Sequence, residues 1–199
     1  MMNKKEGKRI MHVEQFVMAY GAEQDRLRAL LPEGFLSLRP VLRFNAEIRD
    51  GQTAWLEFNT AVERGGVRGW LNIAQWESVP FTREGKKVCF RTEKLDLAFT
   101  RVGIEGGCPA EKDNAGCFFS APEPVFRPAE SISVNKEFCD CDFVWHIPNG
   151  AHGVSLGKTL PAVPEPVRTV YPRLPLTAEN AVVIPCTAVL GAYVVEFER

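Results

Sequence analysis

The sequence predicts a mainly β protein, a β-rich α+β fold in a single domain spanning residues 1–199, on three observations. Apolar and polar side chains alternate with a period of two after Pro40. Asp50-Gly51 and Gly65-Gly66 punctuate that alternation as hairpin turns. Only one stretch of the chain carries helical spacing. In order, Val13 to Tyr20 reads as a strand. Ala22 to Leu31 then places Leu27, Leu30 and Leu31 on one helical face, and Pro32 and Gly34 end it. Leu42, Phe44, Ala46 and Ile48 alternate with Arg43, Asn45 and Glu47. Segments from about Thr53 to Glu63 and from Val67 to Trp76 complete a meander. Further strand-like runs lie at Lys87–Arg91, Leu95–Arg101, Gly116–Phe119, Ser131–Phe138, Asp142–Ile147, Ala181–Cys186 and Ala192–Phe197. Short strands at this spacing suggest a closed or nearly closed β architecture. Pro122, Pro124 and Pro128 mark one loop, and a second runs from Pro161 to Pro175.

Composition narrows the function classes. Apolar residues make up 45% of the 199, enough for a sizeable core, and the formal net charge is −1. A near-neutral balance does not favour a polyanion, so nucleic acid is not an expected partner. The basic start, Lys4, Lys5, Lys8 and Arg9, reads as a solvated terminus with no apolar run behind it. No stretch has the length of a membrane span, so a cytoplasmic location is expected. Six cysteines are too few for a disulfide scaffold and are expected to remain thiols.

The candidate chemistry starts at Glu57. On its strand Ala54, Leu56, Phe58, Thr60 and Val62 share one face, while Trp55, Glu57, Asn59 and Ala61 share the other. Neighbouring strands offer Arg43, Asn45, Glu47 and Asn72. Both faces are largely apolar with a few polar insertions, the pattern of a sheet that lines a pocket. A mid-strand glutamate there is either surface-exposed or paired inside a cavity, because an unpaired buried carboxylate is costly. Lys86 and Lys87 form a second candidate. A lysine amine whose neighbour is a cation can become a nucleophile towards a ketone. Adjacent strand lysines point to opposite faces, however, and a solvated hairpin turn explains the pair equally simply. Cys139-x-Cys141 with His146 and His152 could supply zinc ligands, but both sulfurs would share one strand face, so buried thiols are expected and no metal. The glycine clusters Gly103–Gly107 and Gly150–Gly157 match no phosphate-binding fingerprint and are expected to be turns. No cofactor is expected.

With these residues laid out, the first 80 positions resemble acetoacetate decarboxylase and its superfamily. The match runs through the strand Gln15–Tyr20, the helix Asp25–Leu31 with "LLPEGF", then "PVLRFNAEI", "AWLEFNTAV" and "GGVRGWLNIAQW". The resemblance implies a curved antiparallel sheet closing into a cone-like barrel around a small ligand, in a homo-oligomer. It implies a pocket glutamate at Glu57. It also implies a lysine that forms a Schiff base with a β-keto acid, beside a second lysine that lowers its pKa; acetoacetate decarboxylase is itself the standard example of that effect. The corresponding stretch here, "PFTREGKKVCFRTEK", departs from the pattern: one glycine separates Arg83-Glu84 from Lys86-Lys87, and the proline is missing. Either Lys86 is the nucleophile with Lys87 as its neighbour, or that position falls among Val88, Cys89 and Phe90 and there is no Schiff-base lysine. Two functions follow. One is a carbon–carbon lyase that decarboxylates a small keto acid. The other is a non-decarboxylating relative that binds a small carbonyl ligand through Glu57.

Overall fold

The computed structural model describes residues 10–111, 118–120, 131–148, 150–160, 168 and 170–199. The basic start and the loop prolines 122, 124 and 128 lie outside the described residues, as does much of the stretch from 161 to 169. Among those described, the chain forms β1 (His12–Gly21), α1 (Gln24–Leu30), β2 (Leu36–Arg49), β3 (Thr53–Arg64), β4 (Val67–Trp76), β5 (Phe81–Glu84), β6 (Lys87–Arg91) and β7 (Leu95–Glu111). There follow β8 (Phe118–Ser120), β9 (Ser131–Ile147), β10 (Gly150–Ser155), β11 (Lys158–Leu160), α2 (Ala178–Val182) and β12 (Ala188–Glu198). Neither helix is long and apolar enough to cross a membrane.

Hydrogen bonding links the strands in the order β5-β6-β7-β9-β12-β1-β2-β3-β4-β8, with β10 beside β9 and β11 beside β10. All pairs are antiparallel except β4 with β8. Along this path the sheet ends at β5 and β8, so among the described residues the expected closure into a barrel is not made by hydrogen bonds. The sheet nevertheless folds over itself. Phe58 on β3 and Trp145 on β9 have three strands between them, yet their ring centroids are 5.1 Å apart. In a flat sheet strands that far apart would be separated by roughly 19 Å. The margin β5 is also tied covalently to the far side of the sheet, because only residues 77–80 connect it to β4, the neighbour of β8.

The concave face holds one continuous apolar core. Phe16 and Tyr20 from β1, Phe44, Phe58, Phe90, Phe99, Phe143 and Trp145 are all buried in it. Each such side chain contributes about 1.5–3 kcal/mol on leaving water. The buried Trp145 indole donates to the Tyr20 hydroxyl at 3.2 Å, and burial pushes that hydroxyl's pKa upward. The helix α1 buries Leu27 and Leu30, as its spacing predicts, but starts two residues later than expected because the Ala22 N–H still donates to the Pro40 carbonyl. Asp50, Gly51, Gly65 and Gly66 all have positive φ, as two-residue hairpin turns require.

Four expectations change. The segment Ala181–Cys186 is not a strand: α2 occupies Ala178–Val182, started by the Thr177 side chain accepting from the Asn180 N–H. The runs at Ser131–Phe138 and Asp142–Ile147 are one strand, β9, so Cys139 and Cys141 lie in mid-strand. Gly103–Gly107 lies within β7, and of Gly150–Gly157 only Leu156 and Gly157 turn the chain. Gly153 is there for space rather than for a turn. Its φ is 141°, and a Cβ would collide with the Phe143 carbonyl oxygen on the paired strand β9. Finally, β2 begins at Leu36 and runs through Pro40. The irregularity in its pairing with β3 falls between Ser37 and Leu42, around the residue that cannot donate.

Two outcomes are expected of stability measurements. Gly153→Ala should lower unfolding free energy by at least about 2 kcal/mol in chemical denaturation. His152 is fully buried against the Val182 carbonyl, and burial lowers its pKa. A lowered folded pKa means that the unfolded chain takes up the proton first as pH falls. The stability contributed by neutral His152 is therefore complete above about pH 6.5 and declines below it. His152→Gln, which keeps a donor for Val182, should flatten that decline in thermal melts between pH 7.5 and 5.5.

Candidate functional site

The convex face of β1, β2, β3 and β4 carries the polar residues. Register places them in three cross-strand rows. Gln15, Glu47 and Trp55 form the first; Val17, Asn45, Glu57 and Gln75 the second; Ala19, Arg43, Asn59 and Asn72 the third. Alternation alone would put Ala74 on this face with Asn72. A bulge in β4 next to the Phe58–Asn59 step instead lets Ala74 and Ile73 pack against the apolar core, while Trp70 and Asn72 stay on the polar side. Gln15, Arg43, Asn45, Glu47 and Asn59 are all buried. Both faces of this part of the sheet are thus largely buried, one mainly apolar and the other mixed, with these polar side chains beside Val41, Ala61 and Trp70.

Two carboxylates divide the polar face. Glu47 has a side-chain exposure of 5% and is held as a structural ion. Its Oε2 accepts from Arg49 Nε at 3.0 Å and Nη2 at 2.8 Å. Arg199 adds bonds of 3.3 Å to Oε2 and 3.2 Å to Oε1, and Gln15 Nε2 donates to Oε1 at 3.3 Å. Glu57 is only half-buried. Its Oε2 accepts from Asn45 Nδ2 and its Oε1 from Trp55 Nε1, both at 3.2 Å. The Arg49 guanidinium covers the Trp55 ring at 4.9 Å, and Arg43 lies 3.8 Å over Trp70. Asn59, oriented with its oxygen towards Arg43 Nη2 at 3.1 Å, completes the third row. Gln75, directly across from Glu57, lines a cleft of about 460 Å³ with Trp76, Pro80, Arg91 and Lys94.

The other sequence candidates fall elsewhere. Gly85, at φ 57°, opens the turn between β5 and β6, and Lys86 and Lys87 stand exposed at that turn. The Lys86 ammonium lies beside Gly103, and the Lys86 carbonyl accepts from the Arg101 N–H. Neither lysine hydrogen-bonds Glu57. Cys139 and Cys141 face the apolar core; burial, aided by Glu137, pushes the Cys139 thiol up to about 12 and burial raises Cys141 as well. His146 pairs at the surface with Asp96 at 2.9 Å, while His152 points into the core towards α2. Among the described residues no group of three or more His, Cys, Asp or Glu side chains is arranged to hold a metal.

The sequence matches no protein-family profile and no curated protein. Solved structures do match its fold. The enduracididine biosynthesis enzyme MppR complexed with pyruvate superposes with a TM-score of 0.53 at 10% identity, over 95% of this chain and 86% of that one. Acetoacetate decarboxylase from Legionella pneumophila gives 0.51 at 10% identity, over 98% and 90%. This chain has the acetoacetate decarboxylase-like fold. An acetoacetate decarboxylase-like enzyme from Sphingomonas wittichii agrees, at 0.50 and 11% identity over 95% and 89% of the two chains. At these identities the acetoacetate decarboxylase-like fold is what is shared.

The alternation of Arg43, Asn45 and Glu47 with the apolar residues of β2 already marked the polar face. Gln15 and Arg199 carried no comparable signal, because their meeting with Glu47 depends on pairing across distant parts of the chain. The two carboxylates should respond differently to substitution. Glu47→Ala leaves two arginines facing a gap and should cost about 3–5 kcal/mol in denaturant unfolding. Glu57→Gln should cost less than about 1 kcal/mol in the same measurement.

Proposed function

We propose that this protein is a non-decarboxylating relative of the acetoacetate decarboxylases that binds a small carbonyl compound, with Glu57 as the polar anchor. One observation carries the proposal: Glu57 takes its hydrogen bonds from Asn45 and Trp55, while Lys86 and Lys87 extend from an exposed turn. A lysine that attacks a ketone has to be sheltered from water and held against its substrate. Neither condition is met on a solvated hairpin tip. Glu57 has what a binding group needs, since it is half-buried, oriented by two donors and still reachable. That the similar fold of MppR is found complexed with pyruvate supports a small carbonyl compound as the ligand class.

Borohydride trapping tests this directly. The protein is incubated with acetoacetate or a longer β-keto acid, reduced, and weighed intact by mass spectrometry. No adduct is expected, together with no release of carbon dioxide. A reduced adduct mapped to Lys86 or Lys87 would establish the Schiff-base lyase instead.

A further inference from the structure

We infer that the gap between β9 and β12 docks an extended, lysine- or arginine-bearing segment of another protein, which adds as a strand to the open edge of β12 while its basic side chains meet Asp140 and Asp142. Among the described residues the two strands pair only at Tyr193 with Phe138 and Val194 with Glu137. Beyond those pairs they part. The stretch from Ala188 to Ala192 keeps β1 on one side, and the stretch from Cys139 to Asp142 keeps β7. On its other side β9 meets β10 only from Phe143 onward. Two strand edges thus border a cleft of about 730 Å³, which Leu156 and Gly157 reach from the turn after β10. Free N–H and C=O groups along such an edge are a template for a further strand. The segment Ala188-Val189-Leu190-Gly191-Ala192 has neither the charge nor the proline that blunts exposed edges. Its one extra residue, Leu190, interrupts the pairing with β1, on the opposite edge.

The surroundings of the gap select its occupant. Six of the eleven exposed large apolar side chains among the described residues lie around it: Val102, Ile104, Phe138, Leu156, Val189 and Leu190. Leu156, Val189 and Leu190 line the cleft, Phe138 forms the last pair before it opens, and Val102 and Ile104 stand opposite Phe138 in β7. Exposed apolar surface gathered in one place marks an interaction site. The charged residues of the lining are Asp140 and Asp142, with no lysine or arginine beside them. Neither is ion-paired among the described residues, and Asp142 accepts only the Gly157 N–H, at 3.5 Å. Carboxylates set in an apolar surface without a cation favour a basic partner. A second copy of this chain docked two-fold on the same face would bring carboxylates towards carboxylates. The pleat fixes the pattern further. Asp140 and Asp142 alternate with Cys139 and Cys141, which pack on the core, so the added strand carries basic residues at every second position and apolar ones between them.

Matched peptides test this. A fluorescein-labelled peptide of alternating lysine and valine is titrated by anisotropy at about 0.15 M ionic strength, beside its glutamate–valine counterpart and a copy N-methylated along the backbone. The lysine peptide is expected to bind at least about 10-fold more tightly than either, and the paired variant Asp140→Lys with Asp142→Lys to lose at least about 10-fold of that affinity. Circular dichroism checks the variant's folding; Asp140→Asn with Asp142→Asn serves if it does not fold. The bound peptide should also slow hydrogen exchange at the amides of residues 188–192 and 139–142. Binding that tolerates N-methylation would exclude strand addition. Equal binding of the acidic peptide, unchanged affinity in the variant, protection confined to other strands, or no binding would each overturn the inference. So would a dimer in sedimentation that Leu190→Glu dissociates, since the face would then belong to a second copy of this chain.

Discussion

Everything in this fold depends on a strand period of two being enforced from both sides. In β1, β2 and β3 the residues facing inward are Phe16, Met18, Tyr20, Phe44, Leu56 and Phe58, and those facing outward include Gln15, Asn45, Glu47 and Asn59. Both sets are buried. A slip of one residue in β2 would drive Glu47 among the aromatic rings and carry Phe44 to the polar face. Registers in sheets with one wet face are held by a single preference; here two opposed preferences hold the same register. The polar face is therefore as much a part of the fold's specificity as the core.

That double constraint also explains why two glutamates ten residues apart have different fates. Glu47 lies where β1, β2 and the end of β12 meet, and arginines from the same strand and from the C-terminal residue reach it. Arg199 is itself tied to the sheet, its N–H donating to the Met11 carbonyl and its carbonyl accepting from Met11. The ion at Glu47 thus fastens β2 to the residue that follows β12, across β1 between them. Glu57 lies one row along, beyond the reach of those arginines, and is oriented by neutral donors. Neutral donors fix a carboxylate's direction without cancelling its charge, which is the condition for a carboxylate that binds something else.

The fold class, the meander and most strand positions were legible in the sequence because they rest on local signals, namely alternation and glycine-bearing turns. What stayed hidden was set by distant partners. Val182 and Val183 carry strand propensity, yet the Thr177 cap and the packing of Ala181 and Val182 on the core make that segment a helix. Gly153 looked like a turn glycine, and only the nearness of Phe143 on β9 reveals it as a spacer. Asn45 was visible as a polar insertion, but its bond to Glu57 depends on the β2–β3 register. The lysine pair, by contrast, was legible together with its solvated turn, because the short Gly85-Lys86 connection is a local signal.

The burial of Trp145 has a further consequence, of an optical kind. Its indole is enclosed by Phe44, Phe58, Tyr20 and Trp76, and its N–H is directed at the Tyr20 hydroxyl rather than at water. Trp55, by contrast, is half-buried on the convex face with its N–H on Glu57. Of the chain's four tryptophans these two sit in opposite surroundings, one reporting the integrity of the curled interior and the other the surroundings of the Glu57 carboxylate. Emission from the first belongs at the blue end of the tryptophan range.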